Sequence, residues 1–228
     1  MMDAVAGFDI PHNWTFHDDG VAAGFERHVR EQLPWYDLAT GAVAHVARHY
    51  LPQDGVAYDL GASTGNIARA LADTIDVRCV TLHSIELSPE MAERYAGPQP
   101  HNVIVADVRD VDYQPFDLAV AFLTLMFVPV ADRGGLLRRL RERCRPGGAI
   151  IIFDKNEAVG GYAGSVLWRL ALAGKVAAGV PADDIVAKEL SLGGVQRPLA
   201  RELLGNAIEF FRFGEFAGYL IEGGDGWV

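Results

Sequence analysis

The chain has 228 residues, half of them hydrophobic and 22% charged, the make-up of one folded domain with its own core. A formal charge of −10 argues against a broad electrostatic footprint for nucleic acid or anionic lipid. Two cysteines, Cys79 and Cys144, and no leader-like start suit a reducing cytoplasm, and no run reaches the ~20 apolar residues of a membrane span.

In chain order, residues 14–38 form a helical lead-in, with Phe16, Val21, Phe25, Val29 and Leu33 at near-helical spacing and then Pro34-Trp35-Tyr36. A helix is predicted over 39–50 and is stopped by Leu51-Pro52-Gln53-Asp54-Gly55. Strand 56–60 and helix 66–74 follow, then strand 80–85. Ser88 is placed as the N-cap of a helix over 89–95, with Pro89 at its first position. Strands 103–106 and 116–122 come next. A helix over 134–144 ends at Arg145-Pro146-Gly147-Gly148, and its Arg138, Arg139, Arg141 and Arg143, with Arg145, suit the carboxyl end of a helix dipole. A strand follows over 149–153. Residues 157–204 form a helical insertion, with helix-like stretches at 166–178 and 181–190. A hairpin over 208–213 and 216–221, turned near Gly214, closes the chain. Apolar strands separated by helices predict a parallel sheet covered on both faces, and so a single α/β domain over 1–228.

The informative segment is Tyr58-Asp59-Leu60-Gly61-Ala62-Ser63-Thr64-Gly65-Asn66: a strand ending in an acid, a small-residue turn, then a helix. Glycine at 61 and 65 permits a tight turn and close approach of a ligand. A dinucleotide fingerprint started at Gly61 would need glycine at 63 and 66, where Ser63 and Asn66 stand. Strand two ends Ile85-Glu86-Leu87-Ser88, which is where a nucleotide fold presents an acid to the ribose. Strand three ends Ala106-Asp107-Val108, placing a carboxylate to accept from an adenine amino group. Three successive strands ending in acids point to a nucleoside-type ligand.

With these pieces the chain resembles the class I S-adenosylmethionine (SAM) dependent methyltransferases, on Asp59–Gly65, Glu86, Asp107-Val108, the strand 116–122 and Pro146-Gly147-Gly148-Ala149. The resemblance implies a Rossmann-like, doubly wound, seven-stranded, mostly parallel sheet with the last strand antiparallel. It also implies SAM as cofactor and S-adenosylhomocysteine as product. By the same likeness Gly61, Ala62, Ser63 and Gly65 line the methionine part, Glu86 the ribose, and Asp107 and Val108 the adenine, with Asp59 and Leu87 as further cofactor-binding candidates. A narrower likeness to the carboxy-SAM synthases, which make carboxy-SAM from SAM and prephenate, rests on four features. These are the lead-in through Pro34-Trp35-Tyr36, the loop Thr124-Leu125-Met126-Phe127, the pair Asp154-Lys155 and the insertion. In those enzymes an arginine beside a lysine in the insertion holds the extra carboxylate. Here Lys188 stands at the lysine and Glu189 at the arginine. An acid there repels a carboxylate, which favours plain methyl transfer, although Arg197 offers a replacement charge.

Tyr36 and Thr124 are further candidates beside the cofactor. Lys155, Lys188 and Arg197 are candidates on the substrate side. No general base is identified. His45 and His49, four apart on a helix, are read as a solvated face, and no metal is expected. The expected acceptor is a small molecule. A third reading is a protein that binds SAM without turning it over. The apolar face of the insertion (Val166, Leu167, Leu170, Leu172) either packs on the core or makes the homodimer that the resemblance implies.

Overall fold

The computed structural model describes residues 10–99 and 102–224. One mixed sheet of seven strands organises them, in the order β3-β2-β1-β4-β5-β7-β6. The central strands are β1 (Val56–Leu60), β2 (Thr81–Glu86), β3 (Val103–Val105), β4 (Phe116–Phe122) and β5 (Cys144–Lys155), and all are parallel. The closing strands are β6 (Ile208–Phe213) and β7 (Phe216–Glu222). Strand β7 runs antiparallel to both β5 and β6 and is the one reversed strand.

Every residue of β4 is buried, as are Ala149 to Asp154 of β5. Apolar runs without polar alternation are what a sheet covered on both faces requires. One face packs Leu60, Ile85, Ala119 and Ile152 against Leu136 and Leu140. The other packs Ala57, Leu118, Val120 and Phe153 against Val43, Ala47 and Ile67.

The helices are α1 (Asp19–Gln32), α2 (Tyr36–Ala47), α3 (Asn66–Ala70), α4 (Ala72–Val77), α5 (Pro89–Ala92), α6 (Val130–Arg143), α7 (Gly161–Ala177) and α8 (Ala182–Ser191). The lead-in thus supplies α1, whose first turn is capped by Asp18 accepting from the Val21 N–H at 2.8 Å, and the start of α2. Ser88 caps α5 by accepting from the Met91 N–H at 3.1 Å.

Several expected bounds change: the helix expected over 39–50 runs Tyr36–Ala47, and the one expected over 89–95 stops at Ala92. The helix expected over 66–74 is broken at Leu71 into α3 and α4. The helix expected over 134–144 starts earlier, at Val130, and gives way to β5 at Cys144. Arg145-Pro146-Gly147-Gly148 is therefore strand rather than a stop. Cys144 pairs with Phe116, and Arg145 donates to Asp117 Oδ2 at 2.7 Å instead of serving a helix end. A Cβ at Gly148 would lie 2.5 Å from the Asp117 carbonyl oxygen, so glycine is what lets β5 approach β4 there.

Strand order reverses direction between β1 and β4, with β2 and β3 on one side and β5 on the other. At such a switch point the loops leaving the two strands part, and open α/β sheets hold their ligands in the crevice that results.

Candidate functional site

A cavity of about 440 Å³ opens at that switch point, within the size range of small-molecule sites. Its floor is the set of strand ends: Asp59 near the end of β1 with Gly61, Ala62 and Ser63 after it, Glu86 at the end of β2 with Leu87 next, and Asp107 and Val108 after β3. Thr124, after β4, and Lys155, the last residue of β5, complete it. Tyr36 and Lys188 also line it, so twelve of the fourteen candidate side chains are brought together. Gly65 and Arg197 are not among the lining residues. Gly65 turns the backbone at φ +90° into α3. Arg197 is exposed, its N–H donating to the Met126 carbonyl at 2.8 Å.

The loop after β1 folds back on the sheet. Gly61 and Ala62 both donate their N–H groups to the Ile85 carbonyl at 2.8 Å. Gly61 adopts φ +73°, and Ser63 the same left-handed region at φ 50°, which a non-glycine residue adopts only when neighbours hold it there. The holding group is Glu86. Its Oε2 accepts from the Ser63 N–H at 2.7 Å and its Oε1 from the Ser88 N–H at 2.8 Å. Burial raises the Glu86 pKa, and these backbone donors work against the rise. Asp59 is more extreme. It is buried, and burial together with the Glu86 charge pushes its carboxyl up to about 7. Asp59 Oδ2 has no hydrogen-bond partner among the described residues. Asp107 is the opposite case. Arg109 donates to it from its backbone N–H, Nε and Nη2 at 2.8, 3.0 and 2.7 Å, and the Asp107 pKa falls accordingly.

Two expected contacts are already occupied within the protein. The Thr124 hydroxyl donates to the Leu60 carbonyl at 2.6 Å, so Thr124 shapes the cavity rather than offering a free donor. Lys155 Nζ is shared between Gln196 Oε1 at 3.3 Å, Glu215 at 3.8 Å and Glu189 at 3.9 Å. Tyr36 is 5% exposed, edge-on to Phe122 at 5.4 Å, with the Arg30 guanidinium 5.4 Å from its ring centroid.

The far wall is mainly apolar. It comes from α1 (Phe25, Val29), from Phe127, and from α7 and α8 (Trp168, Leu172, Ile185). A strap before α1 closes over it. The Trp14 N–H donates to the Ser191 carbonyl on α8 at 3.0 Å, while the Phe16 carbonyl accepts from Ser88 Oγ at 2.6 Å. Helix α1 is bound to the glycine loop as well, since Thr64 Oγ1 donates to Glu26 Oε1 at 2.8 Å and Arg69 pairs with the same carboxylate. Of the insertion's apolar residues, Leu172 lines the cavity, whereas Val166 and Leu170 are exposed.

Residues missed by the sequence reading include Arg109, Lys175, Gln196 and Glu215, all on the cavity wall. Arg109 lies next to the Asp107-Val108 pair and was within reach of the motif. The others come from the insertion or the hairpin turn and carry no local signature. Among the described residues no three His, Cys, Asp or Glu side chains gather to hold a metal, and no helix is long and apolar enough to cross a membrane.

Comparison with known proteins bears on the family and the fold. A methyltransferase domain family matches residues 58–150. The carboxy-S-adenosyl-L-methionine synthase of Chromohalobacter salexigens is 30% identical over 161 residues, 68% of this chain and 57% of that protein; the chain thus spans little more than half of that relative's length. The protein of the same name from Shewanella frigidimarina is 28% identical over 188 residues, 79% of this chain and 77% of that one. Among solved structures, human N-acetylserotonin methyltransferase in complex with SAM superposes with a TM-score of 0.58 at 13% identity, over 92% of this chain and 58% of that one. That likeness concerns the fold.

Proposed function

This chain has the class I SAM-dependent methyltransferase fold and is related in sequence to the carboxy-SAM synthases, and from that premise we propose that it transfers a methyl group from SAM to a small-molecule acceptor. The observation that carries the reading is the continuity of one cavity, from the strand-end carboxylates Asp59, Glu86 and Asp107 to the apolar wall of α1, α7 and α8.

The residues present fit SAM. Asp59 Oδ2, buried and unpartnered among the described residues, suits a cationic ligand group, which would restore the ionised carboxylate. Glu86, anchored by its backbone donors, retains acceptor capacity to face the ribose hydroxyls. Asp107, held ionised and in place by Arg109, accepts from an adenine amino group beside buried Val108. Gly61, Ala62 and Ser63 cradle the methionine part, where side-chain bulk at 61 has no room. Bound SAM supplies a methyl carbon already activated by its sulfonium. What remains for the protein is to align the acceptor with it and exclude water, the task of Tyr36, Phe122, the strap and the apolar wall.

A second reading, conversion of SAM to carboxy-SAM, is favoured by the names of the relatives. The charges on the wall speak against it. Glu189 lies 3.2 Å from Lys175 and 3.9 Å from Lys155, so both lysines already face a carboxylate. Mass spectrometry of the small molecules released from the purified protein tests the choice. SAM or S-adenosylhomocysteine, with no carboxy-SAM formed on adding prephenate, upholds methyl transfer. Carboxy-SAM overturns it, and absence of any adenosyl compound together with no SAM binding overturns both readings.

A further inference from the structure

Three lysines, Lys155, Lys175 and Lys188, line the acceptor side of the cavity together with the carboxylates of Glu189 and Glu215. Lys155 pairs with both carboxylates and Lys175 with Glu189. Lys188 pairs with neither, and no carboxylate of the described residues forms an ion pair with it. Its Nζ instead sits over the face of Trp14. Trp14 is itself buried, stacked on His28 at 5.4 Å, and fixed by its backbone to Ser191. Without Lys188 the remaining four charges, two lysines and two carboxylates, cancel, so this wall offers no spare cation to an acidic acceptor. What it does offer is an amine in apolar surroundings.

Resting on the methyl-transfer reading above, we propose that Lys188 is the general base of the reaction, and that the acceptor is a neutral, apolar ring compound bearing a weakly acidic hydroxyl of the phenol type. Ring character follows from the wall, where Phe16, Phe25, Phe127, Trp168 and Leu172 surround the space. A neutral acceptor follows from the charge count, and its oxygen must then lose a proton to become a good nucleophile. In the step, the acceptor's O–H bond breaks and its proton passes to the lone pair of Lys188 Nζ. The oxygen's electron pair forms the new O–CH3 bond as the S–CH3 bond breaks, and the S–CH3 bonding pair stays on sulfur, neutralising the sulfonium. The ammonium so formed lies on the Trp14 ring, whose electron-rich face stabilises a cation.

The groups facing Lys188 keep the amine available. Burial first, then the Lys175 ammonium from α7, lower its pKa to about 6, against the opposing pull of Glu189 on its own helix. His28 on α1 adds no positive charge at neutral pH, because burial, Lys188 and Lys175 bring it down to about 3.

The test uses the whole protein with SAM and two probes, phenol and thiophenol, the second readily ionised at neutral pH without a base. Lys188→Met and Lys188→Arg are compared with wild type, since arginine keeps the positive charge but cannot take a proton. Both variants should lose phenol methylation by about 100-fold or more and thiophenol methylation far less. The wild-type phenol rate should rise with pH through about 6. Phenol turnover preserved in Lys188→Arg overturns the proposal, because an electrostatic role would survive that change. Equal losses for both probes overturn it too. Brief acylation at neutral pH, mapped by peptide mass, provides a readout independent of turnover: Lys188 should label faster than Lys155 and Lys175, and slower labelling counts against a neutral amine. A wild-type protein that binds S-adenosylhomocysteine yet methylates neither probe overturns the phenol class. Failure to bind S-adenosylhomocysteine at all overturns the methyl-transfer reading beneath it.

Discussion

Thr124 occupies the space that a side chain at Gly61 would need. A Cβ built on Gly61 would lie 2.6 Å from both Thr124 Cγ2 and Oγ1, while that same Oγ1 donates to the Leu60 carbonyl at 2.6 Å. The turn after β1 and the turn after β4 are therefore fitted to each other across the switch point. Neither can change shape alone.

Gly61→Ala should be among the most damaging single-methyl additions in the protein. It incurs the left-handed backbone cost and the overlap with Thr124, together about 2–4 kcal/mol. Urea unfolding should show that loss, and S-adenosylhomocysteine affinity by calorimetry should fall at least tenfold. Adding Thr124→Ala should return part of the stability, because it removes the overlap but not the backbone strain. A double variant no more stable than Gly61→Ala would mean that the overlap contributes little.

Asp59→Asn should uncouple stability from ligand binding. The Asp59 carboxyl sits at about 7 in the fold against 3.8 in the open chain. A raised carboxyl pKa contributes stability that is complete below the open-chain value and is lost as pH rises through the folded one. Relative to wild type, the melting temperature of Asp59→Asn should therefore climb between about pH 4 and pH 7 and then level off. SAM affinity should fall in the variant, and in wild type it should weaken as pH drops below about 7. A melting difference that does not vary with pH would contradict the buried, protonated Asp59.

Glu86→Gln tests a dual role. The two carboxylate oxygens each accept a backbone N–H, from Ser63 and Ser88. Glutamine must turn its NH2 group toward one of those donors, which loses a hydrogen bond and leaves a buried N–H unsatisfied, a cost of about 1–3 kcal/mol. We expect a lower melting temperature and S-adenosylhomocysteine affinity reduced more than tenfold. Unchanged affinity would remove Glu86 from the ligand site.

Arg133→Met isolates a structural contribution. Arg133 is 2% exposed and donates to the carbonyls of Val128, Met126, Arg197 and Pro198 at 2.8, 3.3, 2.7 and 3.0 Å. It thereby stitches the loop after β4 to the end of the insertion. Methionine of similar length leaves the Val128, Arg197 and Pro198 carbonyls without the guanidinium donor, while Met126 keeps the Arg197 N–H, and destabilisation of about 3 kcal/mol is expected in urea. SAM affinity should change little wherever the variant is fully folded.

The glycine turn, the strand-end acids and the sheet were legible in the sequence because each is a local requirement. A left-handed turn asks for glycine at 61 and 65, and a strand end fixes where Glu86 must stand. Where competing partners lay far away in sequence, local reading fell short. Helix 134–144 was extended one residue too far because Cys144 is drawn into β5 by Phe116, 28 positions earlier. The hydroxyl of Thr124 was open to a ligand role until the Leu60 carbonyl, 64 positions away, was seen to take it. Lys175 and Glu215 acquire a place only when the insertion and the hairpin turn meet across the cavity, and nothing in their own segments marks them.

The strap is tied at two points. One, Trp14 to Ser191, anchors on the acceptor bank; the other, Phe16 to Ser88, anchors two residues beyond Glu86 on the cofactor bank. The knots lie two residues apart on a single stretch of backbone, too short a span to slacken one without straining the other. On the proposed function, one segment borders both the cofactor and the acceptor, and its two anchors tie their release together. On that same proposal, Ser88→Ala, which removes the Phe16 anchor, is expected to change acceptor release as well as cofactor release.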